Sequence, residues 1–206
     1  MVAFLRTLCL FLTALGTLGA CHVERVQSVP FTGPAPRAVV VAPLVDPEGL
    51  APATLLTGAD TALRGRGMRV LPLATGIDLL RSQGALLPDG SLDLRAVVER
   101  LDVDSVLLVG VEHFESHGER RLESASWRLV WRLVAAPSGA ELWRHEGRGT
   151  WRKPAGDAFD PTARPTDDPE VAMVGERLPP DHATVAELAS ALHLGAMARM
   201  PRGIGR

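Results

Sequence analysis

The chain has 206 residues, 46% of them hydrophobic and 22% charged, and a formal charge of −2 at pH 7. That balance suits one globular domain with a core of ordinary size, and near-neutrality argues against a nucleic-acid binder or a polybasic surface protein. Two cysteines, Cys9 and Cys21, are too few for a disulfide-stapled scaffold.

Residues 1–20 have the parts of a secretory signal. Met1 to Arg6 carries one basic side chain, Thr7 to Leu18 is uncharged and rich in Leu, and small residues follow. The run falls short of the roughly 18–20 apolar residues a membrane-spanning helix needs. Leu18-Gly19-Ala20-Cys21 resembles the lipobox of bacterial lipoproteins. The resemblance implies that Leu18, Gly19 and Ala20 form the signal-peptidase recognition site and that Cys21 is the lipid-attachment residue, carrying diacylglycerol and an amide-linked acyl chain such as palmitate. A plain secretion cut after Gly16 and an uncleaved anchor are the alternatives. Cys9 would leave with the leader, making Cys21 the one thiol of the processed chain. An unmodified lone thiol is a pairing hazard in an oxidising compartment, and acylation removes it. One acyl chain holds a protein only marginally, so stable anchoring takes more; bacterial lipoproteins typically carry three. His22 stands where Asp marks retention at the inner membrane, so the same resemblance implies an outer-membrane anchor facing the periplasm.

Residues 21–36 contain three prolines and no helical period, the composition of a lipidated, extended tether. The α/β core domain is expected over 37–152. Arg37 to Pro43 reads as a strand buried on both faces. Pro47 to Pro52 is a loop, and a helix to about Arg66 follows, with Leu55, Leu56, Ala59, Ala62 and Leu63 on one face. Gly65 or Gly67 ends it before a strand over Met68–Leu73. Strand, helix and strand of these lengths make a parallel crossover unit. A helix starting near Thr75 and stopping at Gly84 comes next, then a turn at Pro88-Asp89-Gly90. Leu94, Val97, Val98 and Leu101 define a second amphipathic helix. Ser105 to Val111 is an apolar strand, expected at the centre of the sheet. After a polar turn, Trp127, Leu129, Trp131 and Leu133 alternate with Arg128, Val130, Arg132 and Val134, and Pro137-Ser138-Gly139 turns the chain into a last strand ending near Trp151. These last three strands predict an antiparallel meander. The expected fold is therefore a mixed sheet of about five strands flanked by helices. Residues 153–180 hold six prolines and no apolar period, a loop or disordered insert. A C-terminal helix within 181–199 should pack on the core, followed by a frayed tail over 200–206. There is no internal repeat.

Candidate chemistry is sparse. His113 and His117 stand four apart beside Glu112 and Glu115, which could serve a metal-dependent hydrolase. However, they fall where a strand gives way to a turn, and the order of Glu and His differs from H-E-x-x-H. Asp102 and Asp104 could hold Mg²⁺, although turn and cap roles suit them better. No phosphate loop or nucleophile elbow is present. The reading is of a non-enzyme with no cofactor and no bound metal. Trp143 and Trp151 share a strand parity. Core or edge packing is the leading reading; exposed, and flanked by Arg144 and Arg148, they would instead make a candidate partner surface.

Several segments together resemble a family of bacterial envelope lipoproteins known from neisserial genome-derived antigens. They are Val39 to Pro43, Leu63 through Gly67 to Pro72, Leu94 to Val109 including Asp104, and the hairpin Ser138-Gly-Ala-Glu-Leu-Trp143. They lie within a span of about half of the processed chain, in the family's order and after a lipobox, whereas 153–180 departs from it. The resemblance implies a fold similar to the TolB N-terminal domain and to LpoB, an outer-membrane activator of a peptidoglycan synthase. It further implies envelope-protein partners, among them a curli-channel-like lipoprotein, and no catalytic residue. Regulation of a peptidoglycan synthase in the manner of LpoB is the rival binding role. Oligomeric state is not legible in the residues.

Overall fold

The computed structural model describes residues 21–33, 35–44, 53–118, 121–153, 183–198 and 200. The leader with Leu18, Gly19 and Ala20, the whole Pro47–Pro52 loop, nearly all of the proline-rich insert and the tail beyond 200 lie outside the described residues. Six strands form one mixed sheet: β1 (Cys21–Val29), β2 (Ala38–Pro43), β3 (Arg69–Val70), β4 (Ser105–His117), β5 (Ser124–Ala135) and β6 (Glu141–Arg152). Their order is β1-β6-β5-β4-β2-β3. β2 is parallel to both β3 and β4, and β4, β5 and β6 make the antiparallel meander. The fold is α/β with the expected crossover and meander, plus one further strand.

That further strand is β1, within the stretch expected to be a free tether. It is extended, but it pairs antiparallel with β6 from Cys21↔Trp151 to Val29↔Arg144, with a bulge between Arg25 and Gln27. The physical reason is the edge of β6: a terminal strand with unpaired backbone N–H and C=O groups recruits a neighbour.

Among the described residues four helices flank the sheet: α1 (Ala59–Gly65), α2 (Leu73–Ser82), α3 (Leu94–Leu101) and α4 (Val185–Met197). The helix expected to run unbroken to Arg66 is split into a 3-10 turn, Ala53–Leu56, and α1. Gly58 makes the break at φ 88°, and a β-carbon there would lie 2.5 Å from Ser190 Oγ and 2.8 Å from Ser190 Cα. α4 crosses so closely that only glycine fits. The apolar face of the segment survives the break, with Leu55, Leu56, Ala59, Ala62 and Leu63 all buried. β3 is shorter than expected because Pro72 caps α2, which begins at Leu73 and not near Thr75. Asp93 Oδ1 caps α3 by accepting from the backbone N–H of Arg95 and Ala96 at 3.0 and 3.2 Å. At α4, Thr184 and Glu187 form a reciprocal capping box.

Two cores result. On one face of the sheet, α1, the 3-10 turn and α4 cover Val39, Val41, Leu107, Val109, Leu129, Leu133 and all four tryptophans. On the other, α2 and α3 bury Ala38, Val40, Val106 and Val134 with Leu80, Ala96 and Val97. On that second face β5 and β6 also carry a row of charged side chains.

Candidate functional site

The charged row occupies the face of β5 and β6 opposite the tryptophans. Arg128 lies directly across from Arg148, and Arg132 from Arg144. Like charges at such positions repel, and glutamates on the same face offset them. Arg128 donates to Glu146 Oε1 from Nε at 3.0 Å and Nη2 at 2.6 Å. Its Nε also lies 2.7 Å from Glu112 Oε2. Arg132 Nε donates to Glu141 Oε2 at 2.6 Å, and Arg144 Nη2 reaches Glu146 Oε2 at 3.5 Å. The hydrogen bond to Glu146, then the charges of Glu112 and Glu146, raise the Arg128 guanidinium further above its ordinary range. Glu146 is nearly buried, at 4% exposure. Its two side-chain oxygens accept from the two arginines around it.

The candidate surface of Trp143 and Trp151 is not formed. The two residues share a parity, as expected, but they face the main core at 1% and 3% exposure, beside Trp127 and Trp131. Arg144 and Arg148 point to the opposite face, so the structure separates the tryptophans from the arginines. The main core, which includes Ala183 and the buried face of α4, extends across β6 as far as Trp151.

β4 does not turn after Val111; it continues to His117 through a bulge between Val111 and His113. Glu112 is the extra residue, and it inverts the alternation. Val111 faces the main core, Phe114 rejoins it opposite Trp127, and His113 stands with the charged row. His113 Nε2 lies 2.9 Å from Ser126 Oγ. His117 is on the same face, but four strand residues separate the two backbones by about 13 Å, too far to share an ion. Among the described residues no group of three or more His, Cys, Asp or Glu converges as a metal-ligand set. Asp102 is the left-handed C-cap of α3 at φ 48° and pairs with Arg69 at 3.1 Å. Asp104 accepts from the backbone N–H of Arg37 and Ala38 at 2.9 and 3.3 Å, fixing the start of β2. Both carboxylates act as structural caps.

One polar group of the core went unread in the sequence. His193 of α4 is fully buried. Its Nδ1 accepts from Trp131 Nε1 at 2.8 Å, and Nε2 donates to the Leu55 carbonyl at 2.8 Å. Burial pushes its pKa down to about 4, against a smaller upward pull from the Leu55 carbonyl and the Asp60 charge. The imidazole is held neutral with both nitrogens used. A histidine within the apolar run Leu188–Met197 was the available signal, because such a residue must find partners for both nitrogens.

A recess of about 70 Å³ lined by Ala38, Arg69, Leu71, Leu101 and Val103 is small beside the roughly 300–1,000 Å³ of ordinary ligand pockets. No helix among the described residues is long and apolar enough to cross a membrane.

No protein-family model matches the chain, and no curated protein matches it. Among solved structures it is similar to the PelC dodecamer from Paraburkholderia phytofirmans, at 15% identity over 89% of this chain and 98% of that one, with a TM-score of 0.47. It is also similar to lipoprotein GNA1162 from Neisseria meningitidis, at 18% identity over 60% of this chain and 88% of that one, with a TM-score of 0.48. For the hypothetical protein CT253 from Chlamydia trachomatis the identity is 9%, the coverage 61% and 78%, and the TM-score 0.34. Likenesses at this level assign no function.

Proposed function

We propose that this chain is a non-enzymatic, lipid-anchored binding module of the bacterial cell envelope, held by acylated Cys21 at the periplasmic face of the outer membrane. The observation that carries the reading is Leu18-Gly19-Ala20-Cys21 at the end of an apolar leader. The arrangement downstream supports it. Glu112, Asp102, Asp104, His113 and His193 are held in ion pairs, caps and hydrogen bonds, and His113 and His117 do not converge. Envelope proteins are the expected partners. The likeness to TolB and LpoB folds belongs to this same proposal and rests on the ordered segments quoted above.

Expression of the full chain and of Cys21→Ser with a labelled fatty acid tests the anchor. The wild-type protein should incorporate label, lose its leader and fractionate with outer membranes, and Cys21→Ser should do none of these. Unchanged labelling and processing in Cys21→Ser would sink the lipoprotein reading. For the binding role, crosslinking in intact cells should recover envelope proteins. Recovery of a peptidoglycan synthase alone would favour the LpoB-like role, whereas stoichiometric zinc lost on His113→Ala would overturn the non-enzymatic reading.

A further inference from the structure

The sheet has two ends, and the placement of Cys21 distinguishes them. β1 begins at Cys21 itself, opposite Trp151 of β6; Trp151 lies opposite Ala125 of β5, and Ala125 opposite Ser116 of β4. That row of four residues crosses the sheet at the level of the proposed anchor. β1 then runs away from this end to Val29, opposite Arg144. Residues past the row on the other side lie in the direction from which the chain enters Cys21. They are Arg152, which follows Trp151, and Lys153, whose N–H donates to the Glu123 carbonyl at 2.8 Å. Arg121 belongs to the connection between β4 and β5 at the same end. All three side chains are exposed. Glu123 is the acidic residue at that level among the described residues.

We propose that this end of the sheet lies against the membrane, and that Arg121, Arg152 and Lys153 bind the phosphates of anionic lipid headgroups there. The inference rests on the lipid anchor proposed above and adds an orientation and a lipid-binding surface to it. A flexible tether would leave the domain free to tumble. Here the acylated residue is already in the sheet, so the anchor and the first backbone pair share one residue. Arg152 and Lys153 stand about 3 and 7 Å beyond that residue along the strand direction, at headgroup level. Each basic side chain held at an anionic surface contributes about a fivefold preference for the apposed state.

Lys153 is the one lysine of the chain, so its amine reports the contact directly. The acylated protein is placed in vesicles of phosphatidylethanolamine and phosphatidylglycerol and treated with a membrane-impermeant amine-acetylating reagent. Modification of Lys153 is followed by mass spectrometry. The reference is the processed chain carrying Cys21→Ser, free in solution. Lys153 should react several-fold more slowly on the vesicles, and a flexible glycine-serine segment inserted between Cys21 and His22 should restore the solution rate. Equal rates without the insertion would overturn the surface, and protection that survives the insertion would overturn the anchor-set orientation. Coupling the processed chain through its Cys21 thiol to a maleimide-bearing lipid builds the same geometry without cellular acylation. Protection there, in a protein that cells do not acylate, would refute the proposed function alone; loss of protection there would refute the orientation alone.

Discussion

Trp131 and His193, 62 residues apart in the chain, are joined by a 2.8 Å hydrogen bond in which the indole N–H donates to imidazole Nδ1. The other imidazole nitrogen donates to Leu55, so one side chain ties β5, α4 and the 3-10 turn before α1 together. The bond requires an unprotonated Nδ1, which makes the core acid-sensitive. His193 binds its proton near pH 4 in the folded state and near 6.5 when unfolded. Stability from this group is therefore complete above pH 6.5 and is lost as pH falls toward 4. The loss amounts to about 3 kcal/mol. Urea denaturation at successive pH values should show it, and His193→Gln, whose amide can accept and donate in the same places, should reduce the slope between pH 6.5 and 4. An unchanged slope in the variant would assign the acid sensitivity elsewhere.

Gly58→Ala should destabilise the domain by at least about 2 kcal/mol, since it places an L side chain at φ 88° and drives a methyl into Ser190. Gly65→Ala, where a β-carbon meets nothing within 4 Å, should be neutral or mildly stabilising. Thermal unfolding of the two variants side by side checks the contrast.

The charged row should respond unevenly to mutation. Glu146→Ala strips the nearly buried partner from Arg128 and Arg144 and should cost about 1–3 kcal/mol. Glu141→Ala breaks a pair whose side chains are 28% and 36% exposed, and should cost less than about 1 kcal/mol. Equal losses in chemical denaturation would show that burial does not set the strength of these pairs.

The pairing of β1 can be tested with the chain's own functional groups. In the unacylated processed chain Cys21 is the sole thiol and Lys153 the sole lysine. The register Cys21↔Trp151 puts their backbones about 8–9 Å apart. A short thiol-to-amine crosslinker should join them in native buffer and fail in urea. An equal yield in both conditions would argue against the paired strand.

Much of this architecture was legible because uninterrupted apolar runs such as Val39–Ala42 and Val106–Val109 report strands covered on both faces. The helix 94–101 was legible in the same way, from its spacing. What escaped has a local cause in each case. In β1 the valines Val23, Val26 and Val29 stand three apart in the sequence, without the period of two by which strands are recognised. In β4 the extra residue Glu112 made a continuing strand look like a turn. The burial of Trp143 and Trp151 depends on which face of the sheet the main core covers, which parity along a single strand does not encode. The proposed anchor at Cys21 rests on four adjacent residues, whereas the ion-pair row and the His193 network draw on elements far apart in the chain.

The bulge at Glu112 also bears on how related chains should be compared. It works as a phase inverter: before it, odd-numbered residues of β4 enter the main core; after it, even-numbered ones do. Removing that one residue would press His113, Glu115 and His117 toward the tryptophans and turn Phe114 out to water. A relative that lacks a counterpart of Glu112 must therefore swap polar for apolar at every position from there to the strand's end, or else pair its meander in another register. A gap at this position without such a swap would mark a misaligned sequence.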